Sequence, residues 1–383
     1  MILCLSICRT CGIDEIVLLF LHYRYFFFLI TLQMDHILNF LRSIVIFSLG
    51  IFLTACSGVL FTSIDVLRPA KVNFPEDVNH LLIVNNSLPQ PHTYGHTSEL
   101  FDEDNEAVSI ETDSLALFSL ASLSEAMAEK EFFSSIHLMH ESIKKDSNFS
   151  EVTYPDRDYL VNLCRKEATE GIISLNRIIV NDKLGELYDM DEATYIAYLE
   201  AIYDYSWSVH FPAKNQIYSF AAKDTVYWES ESYYRERAVN GLPDRRDALI
   251  DGALISGRRS VSKFIPYWEQ SDRYFFKFHD KKLKQGFDSL YVKNWDAAIN
   301  IWADLLEKTS KKSKKIKTAH NLSVLHEIKG DIQQAYDYSN QAMEVYMDIL
   351  LFDYRSILFV VEQNESLRKR LAEMSLLNKQ LGN

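Results

Sequence analysis

Residues 193–210 read ATYIAYLEAIYDYSWSVH, and residues 216–229 read QIYSFAAKDTVYWE, with Pro212-Ala213-Lys214-Asn215 between them. Tyrosine, tryptophan and valine alternate with polar side chains through both runs. Successive side chains of a strand point to opposite faces, so this period of two predicts long antiparallel strands joined near Pro212. Trp207, Trp228 and the tyrosines admit two readings, the core of a sheet with its cross-strand pairs or the wall of a ligand cleft, such as one for a glycan.

Working outward, His80–Ser87 is a short apolar run ending in polar turn formers, as a buried strand requires. Ser135–Glu141 and the isoleucine-rich Gly171–Val180 are two further strands. Pro89–Asp113 holds seven acidic residues and reads as a solvated loop. Asp113 or Ser114 can cap a helix over Leu115–Phe132, whose apolar face is Leu117, Leu120, Ala121, Ser124 and Met127 or Ala128. Asp156–Thr169 and Arg245–Tyr267 have helical spacing. Strands alternating with helices and followed by a hairpin predict an α/β domain with helices packed on a mixed sheet.

The last third changes character. Gly286 is followed by Trp295, Ala298, Ile299 and Trp302, and Gly330 by Ala335 and Ala342, with Ala319, Leu322 and Leu325 ahead of it. Ala298 and Ala335 lie 37 positions apart, against about 34 in a tetratricopeptide repeat. The lysine-rich run Lys308–Lys317, read as a linker, accounts for the difference, although contact with anionic headgroups or an acidic partner is a second reading. Small residues let helices approach closely while aromatics fill the gap to the next hairpin. Leu367, Leu371, Met374, Leu377 or Asn378, and Leu381 form an apolar stripe that either caps this array or meets a partner helix. The whole is therefore an α+β chain, an N-terminal α/β domain followed by tetratricopeptide-like helices.

At the other end, the uncharged run Ser43–Ala55 ends in Leu53-Thr54-Ala55-Cys56, followed by Ser57-Gly58. The run suits a signal-peptide core and is too short to span a bilayer. Leu53–Cys56 resembles a bacterial lipobox, which makes Cys56 the site of lipid attachment and the mature N-terminus. The resulting division is a surplus gene start over 1–33, a signal peptide over 34–55 and a tether over 56–75. The α/β domain follows over 76–280 and the helical repeats with their capping helix over 281–383. Cys4, Cys8 and Cys11 have the spacing of a radical-enzyme iron–sulfur motif. No strand can precede Cys4, however, and Thr10 stands where an aromatic is usual.

The 383 residues carry a net charge of −13, which argues against general nucleic-acid binding, since that depends on neutralising phosphates. With Cys56 lipidated, Cys164 is the sole remaining thiol beyond the signal peptide, so no intramolecular disulfide is expected.

No Walker loop, Gly-x-Ser-x-Gly elbow or His-Glu-x-x-His helix is present. Ser142–Lys145 and Ser260–Lys263 match Ser-x-x-Lys without the Lys-Thr-Gly element that a serine–lysine acyltransferase needs. The pairs His92/His96 and His137/His140 lack a third and fourth ligand for zinc. No catalytic residue, cofactor or metal is assigned.

Val66-Leu67-Arg68-Pro69-Ala70, Pro75 and Ile83-Val84-Asn85-Asn86-Ser87-Leu88, with helical repeats at the C-terminus, resemble a family of uncharacterised bacterial outer-membrane lipoproteins bearing a domain of unknown function. In order of elements the front domain is also similar to the α/β domain of curli-secretion-type and penicillin-binding-protein-activator lipoproteins. The resemblance implies a chain held at the outer membrane through Cys56. The apolar Val59, Leu60 and Phe61 after it, with no acidic run, favour the periplasmic face. The lipobox, the repeats and the missing catalytic motifs favour a non-enzymatic scaffold that binds envelope proteins. An accessory of secretion or cell-wall synthesis and an envelope hydrolase are the competing expectations.

Overall fold

A computed structural model of the chain describes residues 58–100, 106–145, 147–348 and 354–382. Cys56 and Cys4, Cys8 and Cys11 lie outside the described residues. The architecture is α+β, a mixed-sheet domain followed by a helical region. The chain divides into two compact units. The smaller takes the described residues up to Phe61 with Tyr274–Lys308, and the larger takes Thr62–Arg273 and the described residues from Thr309 onward.

Among the described residues, seven strands form one sheet, and its spine is β6 (Gly171–Asp189). β2 (His80–Asn85) runs parallel to Gly171–Leu175, and β3 (His96–Glu99) runs parallel to Asp182–Gly185. β7 (Thr194–Phe211) lies antiparallel along the other edge of β6 from Ile172 to Asp189, and β8 (Gln216–Ser232) pairs with β7 in turn. β5 (Ser135–Ser142) extends the sheet beside β2, and the two-residue β4 (Glu106–Ala107) beside β3.

The hairpin forms as its alternation predicts. Tyr203, Tyr205, Trp207, Val209 and Phe211 all point into the core, where Tyr205 stacks on Trp207 with ring centroids 5.4 Å apart. Burying side chains of this size contributes roughly 1.5–3 kcal/mol each. Trp228 packs against the same core, whereas Tyr198 and Tyr227 stack at 5.9 Å on the opposite face. The aromatics of the inner face are thus sheet core.

α1 (Leu115–Ala128) and α4 (Arg245–Arg259) cover this face. α1 buries Leu115, Ala116, Ser119, Leu120, Ser122, Leu123, Ala126 and Met127, so its face is rotated from the expected one and Leu117 is exposed. The reason is the crossing with α4, where small polar residues are buried: Ser122 Oγ donates to Leu254 O at 2.6 Å, and a Cβ on Gly257 would meet Ser119 O at 2.2 Å. Ser114 stands at the N-cap without a side-chain bond to the helix, and Asp113 bonds His92 instead. α2 (Arg157–Glu167), capped by Asp156, covers Leu82, Val84 and Ile172 on the other face of the sheet.

Three expectations need correction. Val59–Arg68 is not a tether but strand β1, paired with β9 (Tyr267–Phe276), which follows the expected end of the helical segment near Pro266. The acidic stretch Pro89–Asp113 contains β3 and β4 rather than loop alone. The Lys308–Lys317 run is mostly helix. α6 (Trp295–Lys308) continues to Lys308 and α7 (Lys312–Ile328) begins four residues later. A short α3 (Arg235–Asn240) was not anticipated.

In the smaller unit, α5 (Lys281–Tyr291) packs on α6. Trp302 is fully buried between Phe275 and Phe287, and its Nε1 donates to Leu283 O at 3.2 Å above Gly286. In the larger unit, α7 and α8 (Ile332–Met347) form a hairpin turning at Gly330, whose φ of 85° lies where glycine is favoured. Ala319, Ala335 and Ala342 are buried. α9 (Tyr354–Gln380) is tied to segments flanking the sheet: Arg68 reaches Glu373 at 3.0 Å, and Gln380 exchanges hydrogen bonds with the backbone of Ala70. No helix among the described residues is long and apolar enough to cross a membrane.

Candidate functional site

Three polar clusters within the larger unit have the composition of active sites. In the first, His96 Nδ1 bonds Asp182, which also receives Arg245 Nε at 2.6 Å. Neither the His96 nor the Asp182 side chain has solvent exposure. Arg245 Nη2 continues to Thr97 O at 2.7 Å, so the cluster locks α4 to β3 and β6.

The second runs along the outer face of β6 and β7. Asn176 Nδ2 donates to Ser208 Oγ at 2.8 Å, and Ser208 Oγ lies 2.6 Å from His210 Nε2. This is the spacing of a nucleophile and its base. Ser208 is fully buried, however, and desolvation lowers the His210 pKa to about 4, so the ring is a weak base. The third cluster joins β9, α7 and α9. Glu327 receives Arg273 Nε at 2.7 Å, Gln363 Nε2 at 2.7 Å and Arg370 Nη1 at 2.6 Å. Burial pushes the Glu327 carboxyl up, but Arg273 with Gln363 and Arg370 outweighs it and holds the pKa below the usual carboxylate range. The groups at the centre of the three clusters, Asp182, Ser208 and Glu327, are buried.

The accessible site lies elsewhere, where three distant segments meet. Phe74 wedges edge-on against Phe133 and Phe211, with centroids 4.9 and 5.5 Å away, and this fixes the segment Asn73–Asp77. The turn after β7 is pinned to α2 by Arg157, which donates to Pro212 O at 3.2 Å. Gln380 donates to Val72 O at 3.0 Å, placing Lys379 at the end of α9 beside that segment. The result is an open cleft of about 570 Å³, walled by Asn73, Glu76, Asp77, Lys214 and Lys379. Next to it, sharing Asp77 and Lys214, is a slot of about 190 Å³ lined by Val78, Val161, Cys164, Phe211 and Pro212. Asp77 and Lys214 form an ion pair between the two.

One buried polar atom in these walls makes no hydrogen bond with the described residues, Asn73 Oδ1 in the open cleft, whereas Thr169 in the slot pairs with the Cys164 thiol. Such an unpaired group carries a desolvation cost that a ligand's polar groups would relieve. Burial raises the pKa of the adjacent Cys164 thiol, so it is a poor nucleophile. The pair of cavities is suited to holding an apolar side chain flanked by charged and hydrogen-bonding groups.

The residues singled out by motif lie apart from this site, except Cys164. His92 bonds Asp113 at 3.0 Å on the surface, while His96 is buried in β3, so the pair does not converge. His137 and His140 stand on β5. Ser260 Oγ donates to Ser256 O, and Ser142 Oγ accepts from Lys144 N, so neither Ser-x-x-Lys match is wired for acyl transfer. Among the described residues, no three His, Cys, Asp or Glu side chains gather to hold a metal. Sequence spacing had no means of revealing the cleft, because its walls come from positions 73–77, 161–170, 211–214 and 379.

Residues 78–276 match a family model described as Domain of unknown function (DUF8603), and residues 284–371 match Domain of unknown function (DUF6340). The first match covers more than half of the chain, and the chain belongs to the DUF8603 family. Among solved structures, a neuraminyllactose-binding hemagglutinin homolog from Helicobacter pylori is 11% identical, covering 50% of this chain and 90% of that one with a TM-score of 0.26. An uncharacterized protein is 8% identical, covering 49% and 93%, with a TM-score of 0.20. Both likenesses are too slight to bear on function. No curated protein matches the chain.

Proposed function

We propose that this chain is a non-enzymatic envelope lipoprotein, anchored to the outer membrane through Cys56 and facing the periplasm, that binds other proteins. The observation that carries the binding role is the pairing of an open charged cleft with an apolar slot. An extended peptide can seat one apolar side chain among Val78, Val161 and Phe211. Its charged neighbours then oppose Glu76 and Lys379, and a backbone N–H reaches Asn73 Oδ1. Anchoring rests on the sequence Leu53–Cys56 and the apolar run before it. The C-terminal helices are of tetratricopeptide-like kind, a reading supported by the buried Ala298, Ala335 and Ala342 and by the turn at Gly330. They offer a second binding surface.

A photo-cross-linking amino acid at position 213, on the rim of the slot, tests the binding role in intact cells. The expected result is one reproducible adduct, absent when the cross-linker is moved to position 130. Equal labelling from both positions, or none from 213, contradicts the proposal.

A further inference from the structure

Strand β8 pairs with β7 along one side only, so its other side is an edge of the sheet 17 residues long. Alternate residues of an edge strand turn their N–H and C=O groups away from the neighbouring strand. In β8 these are the odd-numbered positions. Lys71 Nζ donates to Ala221 O and Arg259 Nη1 to Thr225 O, both at 3.4 Å, while Thr225 N–H donates to Asp224 Oδ1 at 3.0 Å. Charged side chains thus occupy outward groups over Ala221–Thr225, one of the ways in which proteins close an edge.

Beyond Thr225 that cover ends. No side chain among the described residues bonds the outward N–H or C=O of Tyr227, Glu229 or Glu231, and β8 has no strand partner on that side. The ladder with β7 is regular throughout, without a bulge, and Val226–Ser232 contains neither proline nor glycine. Val226, Tyr227 and Trp228 are residues that favour the extended state. Behind them α3 packs on the inner face, where Ala238 is fully buried and a Cβ on Gly241 would lie 2.0 Å from Ser230 Oγ. The free edge is therefore held in place before anything binds, which lowers the ordering cost of adding a strand. We propose that Val226–Ser232 takes up an extended segment of another protein as a further strand of the sheet, and that this segment alternates basic with apolar residues.

Charge selects the occupant. Tyr227, Glu229 and Glu231 are exposed on the outer face, with Glu200 of β7 opposite Tyr227. Neither Glu229 nor Glu231 has an ion pair among the described residues. Residues two apart on a strand lie ~6.6 Å from each other on one face. Lysines at alternate positions of an added strand therefore fall opposite both glutamates, and a third meets the Tyr227 ring. The apolar residues between them fall on the inner face beside Trp228, which is half-buried. A second copy of this chain fits poorly. Pairing the free edges of two copies over their whole length, Val226 opposite Ser232, sets Glu229 against Glu229, and like charges directly opposite are destabilising. The edge is also separate from the slot, which lies beside Lys214 at the other end of β8.

The probe is the end-blocked, fluorescein-labelled peptide Thr-Lys-Val-Lys-Val-Lys-Thr, followed by fluorescence anisotropy with the full chain carrying Cys56→Ala. Saturable binding is expected, at least tenfold weaker when the three lysines are replaced by glutamate. E229K/E231K is expected to reverse that order and prefer the glutamate peptide; because a gain is read, a misfolded variant cannot mimic it. Two N-methylated peptides separate strand addition from simple charge attraction, since only alternate N–H groups of an added strand meet β8. Methyl groups on the lysine nitrogens should block an antiparallel strand, and on the valine nitrogens a parallel one. One of the two peptides is thus expected to lose at least tenfold in affinity while the other keeps it. Val161→Trp, which fills the slot, should leave binding unchanged. No saturable binding, equal affinity of the two methylated peptides, an unreversed order in E229K/E231K, or loss of binding in Val161→Trp overturns the proposal.

Discussion

Arg273 grips Glu327 with two parallel hydrogen bonds, Nε at 2.7 Å and Nη2 at 2.8 Å, where neither side chain has more than 4% exposure. The arginine belongs to β9 and the glutamate to α7, and Arg370 of α9 completes the cluster. Removing one member of a buried pair strands the other's charge, which typically costs about 3–5 kcal/mol. Glu327→Ala is therefore expected to lower unfolding stability by about that much in a denaturant titration. Replacing Arg273 and Glu327 together by Met and Leu should recover most of the loss. A Glu327→Ala effect below about 1 kcal/mol would show that the cluster does not hold these elements together.

His210 gives the fold an acid sensitivity with a defined window. Its pKa is about 4 in the folded chain, through desolvation, against an ordinary 6.5. Between those values the unfolded chain binds the extra proton, so stability falls as pH drops from 6.5 toward 4 and is fully present above 6.5. Each pH unit is worth up to about 1.4 kcal/mol, or roughly 3 kcal/mol across the window. His326, lowered mainly by burial, acts in the same direction. His210→Gln should flatten the stability profile between pH 6.5 and 4, leaving a smaller slope from His326. An unchanged slope would show that His210 is already protonated in the native state.

The crossing of α1 and α4 depends on the absence of one side chain. A Cβ at Gly257 would lie 2.2 Å from Ser119 O, a backbone atom that cannot swing aside. Overpacking of this kind costs about 1–3 kcal/mol. Gly257→Ala should destabilise by at least the middle of that range, measured by thermal or denaturant unfolding. Wild-type stability in that variant would mean that the helices can separate freely.

How much the sequence made legible follows from where each signal resides. β7 and β8 were readable because Tyr203, Tyr205 and Trp207 alternate with Asp204 and Ser206 inside one segment. β1 and β9 were not, because each is a strand only through a partner some 200 positions away, as the bond from Ser63 Oγ to Asp272 illustrates. The second half of β6, from Asn181, is too polar to register as a buried strand. It is a strand, largely half-buried, because β7 continues beside it as far as Thr194. The buried face of α1 differs from the one its apolar spacing predicts because Ser119 and Ser122, poor candidates for a core, are buried where α4 crosses. The cleft was illegible for the same reason as β1: Asn73, Val161, Lys214 and Lys379 form no pattern until the chain is folded.

The slot beside Cys164 supplies a prediction for binding. Val161 is half-buried on the outward side of α2 and lines the slot. Val161→Trp should fill that space while leaving the far-ultraviolet spectrum unchanged. Binding of an occupant that seats an apolar side chain there should weaken by at least tenfold, since a lost apolar anchor costs about 1.5–3 kcal/mol.

The most direct test of the anchored scaffold is partner capture from cross-linked envelopes with wild type, Cys56→Ala and Val161→Trp in parallel, the intact mass of each form being recorded. The account predicts a wild-type chain that begins at a lipid-modified Cys56 and brings down a reproducible partner. It also predicts a Cys56→Ala chain released from the membrane, and a Val161→Trp chain that stays anchored but loses the partner. A wild-type chain that retains residues before Cys56, or a partner captured equally by Val161→Trp, would contradict it.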